Sequence, residues 1–306
     1  MKSPLLSVGI PAYDRPATLE RAVRSVLAQQ LRDLEVVVSD DASPDPAVAQ
    51  TGERLAREDA RVRFMRQPTN LGHAANYVWV LQSARGEFFM WLSDDDWLDP
   101  GYARRCVEQL RADPSARLVC GLARYYRDGA PVVDERPIDL RSRRPGWRVV
   151  RYFGRVNMNG PLFGVARRED LLAAAFRDVV GGDWLLVSAI AAQGQVRTLA
   201  DVHIHRSMSG LGSEAERLSR SFGLRGFLAR HHHLVVAANL WREIAWRDSA
   251  YDVLPRLARL TTATLSAAAV LVRFPGVDTL RRAGLGGLEQ RAIAWVRARD
   301  RRSARC

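Results

Sequence analysis

The stretch EFFMWLSDDDWLDP, Glu87 to Pro100, sets an apolar strand-like run against three consecutive carboxylates and then a proline. Asp94, Asp95 and Asp96 repel one another, and packed carboxylates do not all stay ionised without a counter-charge. One reading is a solvated turn. The other is a strand end that holds a divalent cation together with a polyanion, because Mg²⁺ or Mn²⁺ takes few protein oxygens and completes its shell from phosphate and water. Such a cation also stabilises negative charge on a departing diphosphate. Proline suits the first turn of a helix, so a helix is expected from Pro100 to about Ala112.

The pattern recurs upstream. LLSVGIPAY is a buried-strand run that ends in Tyr13-Asp14-Arg15, and LEVVVSDDAS is a second that ends in Asp40-Asp41. Between them Leu19, Ala22, Val23, Val26 and Leu27 recur at helical spacing over Ala17–Gln29. A polar helix to about Asp59, a strand VRFMRQP and a helix over Asn70–Ser83 complete the alternation before Gly86. Strands joined by helices of this length predict right-handed crossovers and a mostly parallel α/β sheet. Ligands bind such sheets at the C-terminal strand ends, where all three polar clusters would converge. There is no GxxxxGK[ST] loop, and the first strand ends in Pro11-Ala12-Tyr13 with no GxGxxG, so a glycine cradle does not hold the phosphates.

Downstream, RLVCGLARYY reads as a strand, and residues 127–160, rich in Arg, Pro and Asp, as a long hairpin-like excursion. GPLFGVARRE leads from a strand into a helix near 170–176. GGDWLLVSAIAAQG is a glycine loop, one acid and an apolar helix, and VRTLADVHIHRS is a further strand. From about Ser213 the pattern is helical in three segments, punctuated near Asp248 and at Pro275-Gly276. HHH at 231–233 points around a helix and forms no i, i+4 metal pair, so it reads as structural or interfacial.

The net charge of +12 is uneven. Residues 206–306 hold 18 Arg against 8 acids, whereas residues 1–205 hold 28 basic and 26 acidic side chains. The basic last third suits an anionic membrane surface, an acidic partner or nucleic acid. Its arginines alternate with Leu, Val, Ala and Trp, which favours an interfacial or docking helix, and no nucleic-acid partner is expected. Cys106, Cys120 and Cys306 show no pairing pattern, the first residues read as a strand instead of a signal peptide, and Ala263–Val272 is too short to span a bilayer. The expected location is cytoplasmic, either soluble or peripheral at the inner face of the membrane.

SVGIPAYDRPATLERAVRSVLAQ, LEVVVSDDAS and NLGHAANYVWVLQSARGEFFMWLSDDDWLDP together resemble the family 2, nucleotide-sugar-dependent, inverting glycosyltransferases of the GT-A fold. The resemblance is close over Leu5–Leu110, looser to Ser209, and stops there. It implies a catalytic domain over residues 1–210, with a Rossmann-like nucleotide-sugar half at 1–112 and an acceptor half at 113–210. Residues 211–306 follow as a helical extension, able to contact a membrane or a second copy of the chain.

By that match Pro11, Ala12 and Tyr13 hold the nucleoside, with Tyr13 stacking on the base. Asp41 bonds the base, typically uracil, which makes UDP the donor expected first; as chemistry, Asp41 serves equally as a helix N-cap. Asn70 and Gly72 match the NxG turn before the helix under the donor, and Asn76 on that helix reads as structural. Ser93-Asp94-Asp95 aligns with the DxD motif, with Asp95 on the metal, Asp94 on sugar or ribose, Asp96 in support and Ser93 in place of the usual first acid. Asp183 matches the general base for the acceptor hydroxyl; a helix-terminal acid favoured by the dipole is its structural alternative. Trp184 would face the acceptor or fill core. His205, in HIHRSMSG, matches a further metal or diphosphate contact, with His203 on the same strand face. The implied cofactor is Mn²⁺ or Mg²⁺. A sugar-phosphate nucleotidyltransferase is the competing enzyme, but it calls for a Gly-rich basic loop where PAYDRP stands. The third reading is a membrane-surface or nucleic-acid binding protein acting through the basic tail.

Overall fold

The computed structural model describes residues 3–208 and 222–282. Cys306 and the ends of the expected tail, 209–221 and 283–306, lie outside them. The first 91 residues follow the alternation in the sequence: β1 (Leu6–Ala12), α1 (Pro16–Leu27), β2 (Leu34–Asp40), α2 (Pro46–Glu58), β3 (Val62–Arg66), α3 (His73–Ser83) and β4 (Phe88–Trp91). β1, β2 and β4 are buried along their whole length, as parallel strands covered on both faces must be. α1 packs its Leu19, Ala22, Val23 and Val26 stripe inward. Leu6 pairs with both Leu34 and Phe88, and this common register brings the C-terminal ends of β1, β2 and β4 to one rim.

β5 is only Trp97–Leu98, followed by α4 (Tyr102–Ala112), β6 (Ala116–Arg127) and β7 (Ala130–Asp134). β6 and β7 form the expected hairpin, turning at Asp128 and Gly129, both at positive φ. The rest of the excursion holds a helix that the sequence pattern hid, α5 (Pro145–Phe153). Its Arg148 is buried because the guanidinium donates to the carbonyls of Ala191 (2.6 Å) and Ala192 (3.0 Å), groups that a helix end leaves without partners. Next come β8 (Val165–Arg167), α6 (Arg168–Ala174), α7 (Gly182–Gln193), which supplies those carbonyls, and β9 (Gln195–Ser207).

The sheet order is β3-β2-β1-β4-β8-β6-β9-β5, with β7 on β6. The β3-β2-β1-β4 portion is parallel throughout, as the α/β pattern predicts. Beyond β4 the sheet is mixed: β8 runs antiparallel between β4 and β6, while β6 and β9 are parallel. β8 enters directly from a 3₁₀ turn at Gly160–Phe163, without a crossover helix, which leaves it free to run the other way. Cys106 and Cys120 are buried and free.

Three helices follow, α8 (Gly226–Arg230), α9 (His232–Arg242) and α10 (Arg256–Arg282). The break near Asp248 occurs, with a π turn over Glu243–Arg247 and a 3₁₀ turn after it. The break expected at Pro275-Gly276 does not, since α10 runs through it. These helices dock on the catalytic layer: Tyr251 is fully buried with its hydroxyl 2.5 Å from Ser188 Oγ on α7, and Arg273 donates to the carbonyls of Phe153 and Val156 beyond α5. His233 is buried, in keeping with a structural role for the histidine run.

Candidate active site

The rim of β1, β2 and β4 gathers the acids, and the three carboxylates after β4 do three different things. Asp94 closes the rim: its Oδ2 accepts the Tyr13 N–H (2.9 Å) and its Oδ1 a hydrogen bond from Arg15 (3.0 Å). Asp96, 1% exposed, accepts from Arg206 Nε (3.0 Å) and the Ser207 N–H (2.9 Å), which ties the rim to the end of β9. Asp95 Oδ2 is buried and 3.2 Å from Arg15 Nη1, yet accepts no hydrogen bond. Burial pushes the carboxyls of Asp94 and Asp96 up to about 6, although Arg15 and Arg206 pull the other way. Ser93, where the motif's first acid would stand, has its hydroxyl 3.3 Å from that of Tyr77 on α3.

Asp41 is clamped by the turn that the motif predicts. Its carboxylate accepts the N–H groups of Leu71 (2.6 Å) and Gly72 (3.1 Å), and Asn70 donates to its carbonyl (3.2 Å). Gly72 sits at φ +87°, which glycine adopts without strain. The cap of α2 is Asp45, which accepts the Ala47 N–H, so Asp41 is not serving as that helix's N-cap. Asn76 is buried and donates to the Ser39 carbonyl, a structural role. Pro11 and Ala12 are buried in β1, and the Tyr13 ring stands 47% exposed at the strand's end.

The two histidines converge on one acid. Pairing of β5 with β9 sets Trp97 opposite His205, so Asp99 meets His203 Nδ1 (3.1 Å) and His205 Nε2 (2.8 Å). His205 Nδ1 lies 3.0 Å from the Tyr126 hydroxyl, and its ring stacks on Trp97 at 5.1 Å. Both ring nitrogens therefore have protein partners. Among the described residues no three His, Cys, Asp or Glu side chains form a metal-binding group. A Mg²⁺ or Mn²⁺ site built on one or two carboxylates and completed by phosphate does not need such a group. Asp95, whose buried Oδ2 accepts no hydrogen bond, fits a cation of that kind.

Asp183 opens α7, half-buried, with Asn159 Nδ2 donating to its Oδ2 at 2.9 Å. Burial raises its affinity for a proton, while Asn159, the helix's first N–H groups and the field of Arg206 work against that. Trp184 is partly buried and packed on the core. Arg206 links the two regions, since its Nη1 also donates to the Tyr125 hydroxyl (3.2 Å) and the Met158 carbonyl (3.3 Å), one residue before Asn159. Arg206, Asn159, Asp99 and Tyr126 were not foreseen as site residues. Apart from Tyr152, seven positions before Asn159, their side-chain partners lie 24 to 110 positions away, and the adjacency of Arg206 to His205 offered a local signal.

The profile described as glycosyl transferase family 2 matches residues 7–166. A β-1,3-glucosyltransferase of Campylobacter jejuni, named for GalNAc(5)-diNAcBac-PP-undecaprenol, is 38% identical over 99 residues, 32% of each chain. An Escherichia coli chondroitin synthase is 36% identical over 117 residues, covering 38% of this chain and 17% of the synthase. The matched segment thus spans a third or less of either relative. Among solved structures, residues 1–349 of S. aureus TarS in complex with UDP superpose with a TM-score of 0.55 over 92% of both chains, at 16% identity. The mannosyltransferase PcManGT from Pyrobaculum calidifontis, solved with GDP-Man and Mn²⁺, gives 0.52 over 96% of this chain and 84% of its own, at 18% identity. The α/β fold expected from the GT-A resemblance is the one observed. With its family profile matched over more than half of the 306 residues, the chain belongs to glycosyl transferase family 2.

Proposed function

We propose that this chain transfers a sugar from a nucleoside-diphosphate sugar, UDP-linked, to an acceptor hydroxyl with inversion at the anomeric carbon. The observation that carries the reading is the division of labour on the rim: both carboxylate oxygens of Asp94 and of Asp96 accept from protein donors, whereas Asp95 keeps a buried oxygen that accepts no hydrogen bond. The Asp41 carboxylate is a hydrogen-bond acceptor, which suits the N3–H of uracil. Tyr13 offers an exposed ring for the base, and the UDP complex of the TarS neighbour agrees with that donor. Asp95 would hold Mn²⁺ or Mg²⁺, which supplies positive charge to the diphosphate; His205 joins it only by giving up Tyr126 or Asp99. Asp183 takes the proton of the acceptor hydroxyl as that oxygen bonds the anomeric carbon. The bond from that carbon to the diphosphate breaks, and its electrons leave with the nucleoside diphosphate. Trp184, beside the base, is assigned to the acceptor wall.

The expected division into a nucleotide-sugar half, an acceptor half and a tail is kept. No helix among the described residues is long and apolar enough to cross a membrane. The outward face of the tail nonetheless carries Trp246 (65% exposed), Leu257 (78%) and Val272 (80%), with exposed Arg247 and Arg256 alongside. Apolar anchors with arginines and few acids suit an anionic membrane surface, hence a peripheral, inner-face location and a lipid-linked or envelope-glycan acceptor. Co-sedimentation with phosphatidylglycerol vesicles should be lost in Trp246→Glu; if the wild-type chain does not sediment, the membrane reading fails.

The transferase reading is tested by incubating UDP-, GDP- and dTDP-sugars with the protein, with and without Mn²⁺, and measuring released nucleoside diphosphate. Cation-dependent release from UDP-sugars, lost in Asp95→Asn, is expected. Release no faster than the enzyme-free background from every donor would reject it.

A further inference from the structure

Asn159 is buried (2% exposed), holds the left-handed conformation (φ 55°, ψ 46°) and precedes the 3₁₀ turn Gly160–Phe163. That region costs an ordinary residue about 1–2 kcal/mol, and Gly, Asn and Asp bear it best. Glycine would satisfy the backbone, so the side chain must account for the asparagine. Both of its ends are used: Nδ2 donates to Asp183 Oδ2 at 2.9 Å, and Oδ1 accepts from the Tyr152 hydroxyl at 2.7 Å. The direction of this relay follows from chemistry. An ionised Asp183 can only accept, so the amide nitrogen faces it and the oxygen faces Tyr152, whose hydroxyl then donates.

The backbone on both sides of Asn159 is clamped as well. The Met158 carbonyl accepts from Arg206 and Tyr125, and the Gly160 N–H donates to Glu135 Oε2 at 2.8 Å. A Cβ on Gly160 would come 2.2 Å from that oxygen. Arg206 simultaneously holds Asp96, so the turn carrying Asn159 is fastened to the acidic rim through a single guanidinium.

We infer that Asn159 is the positioning residue for Asp183, holding one carboxylate oxygen so that the other faces the acceptor, in register with the donor rim. This rests on the reading of Asp183 as base. The charged and titratable groups around Asp183 are Arg206 from β9, Tyr152 from α5, and Glu135, which shares the surroundings of Tyr152. Asn159 stabilises the ionised carboxylate, so its loss raises the proton affinity of Asp183 and moves the acid limb of the rate profile to higher pH.

The test uses the full chain with Asn159→Gly, which keeps the left-handed backbone and removes only the amide, and Tyr152→Phe, which removes the group that orients it. Transfer or donor-hydrolysis rates are followed from pH 4.5 to 8.5, alongside UDP binding with Mn²⁺. Asn159→Gly should lower kcat on the order of 100-fold, as a small misplacement of a reacting group does. It should shift the acid limb upward and leave UDP binding within about twofold, a bound set by the absence of any contact with the donor rim other than through Arg206. Tyr152→Phe should move both quantities the same way but less. Asp183→Asn separates the two ideas. If it retains wild-type turnover, the base reading fails and this inference falls with it. If it is inactive while Asn159→Gly keeps wild-type kcat and pH profile, the base reading stands and the positioning role is overturned.

Discussion

Asp95→Asn and Asp96→Asn remove adjacent, like charges, yet the structure separates their consequences. Asp96 is 1% exposed and pairs with Arg206, whose side chain is itself only 17% exposed. An asparagine there still accepts the Ser207 N–H but leaves the guanidinium charge buried opposite a neutral group. Breaking a buried pair in this way costs about 3–5 kcal/mol, offset in part because burial already disfavours the ionised Asp96 carboxylate. Residual bonds from Arg206 to Tyr125 and Met158, and the Phe163 ring 4.0 Å away, set the result toward the lower end. For a chain of this size the midpoint of thermal unfolding then drops on the order of 10 °C. The Asp95 carboxylate meets only the partly exposed Arg15 and its buried Oδ2 accepts no hydrogen bond, so its neutralisation costs about 1 kcal/mol or less. Turnover should follow the opposite order, with Asp95→Asn losing two or more orders of magnitude, ~3 kcal/mol of transition-state stabilisation. Urea unfolding and steady-state rates on the same preparations measure both quantities. Equal stabilities, or a larger rate loss in Asp96→Asn, would refute the division of labour among the three acids.

Other outcomes follow from the same geometry. The folded-state carboxyl of Asp94 titrates near 6, above an unfolded aspartate near 3.9, so the folded protein binds the extra proton between those values. Its contribution to stability is complete below about pH 4 and is lost as pH rises through about 6. The melting temperature of the cation-free wild type minus that of Asp94→Asn should therefore fall across this window, and a rise would be contrary. Tyr13→Ala should raise the donor KM roughly 5- to 100-fold, by the ~1–3 kcal/mol of a base stack, with little change in folding stability, since the ring is half exposed. Tyr251→Ala, far from the rim, should cost about 3–5 kcal/mol of stability in denaturant titration and leave the donor KM unchanged.

The run from β1 to β4 was legible because each of its elements declares itself locally. The β1, β2 and β4 runs are apolar throughout, the helices between them carry a one-sided stripe, and the acids fall where strands end. α5 escaped notice because PGWRVVRYF carries two arginines and opens on Pro-Gly. Arg148 reads as a surface residue until the carbonyl ends of α7, 43 and 44 positions later, are seen to need donors. β5 is two residues long and exists only because β9 pairs with it, so neither Asp99 nor the engagement of both His205 nitrogens could be inferred from spacing. The acids of the site were visible as residue types. Their assignments came from partners such as Arg206 and Asn159, which long-range packing brings in. The tail reads as an interfacial or docking helix, and its described helices dock on α5 and α7 through Tyr251 and Arg273, so deleting them would uncover core.

The most direct test of donor binding on the acidic rim is calorimetric titration of UDP into the wild-type chain and Asp95→Asn, each with and without Mn²⁺. The wild type should bind UDP more tightly with the cation present. Asp95→Asn should retain the weaker, cation-independent binding supplied by Asp41 and Tyr13 and lose the enhancement. Absence of UDP binding by the wild type under both conditions, or full Mn²⁺ enhancement in Asp95→Asn, would contradict the account.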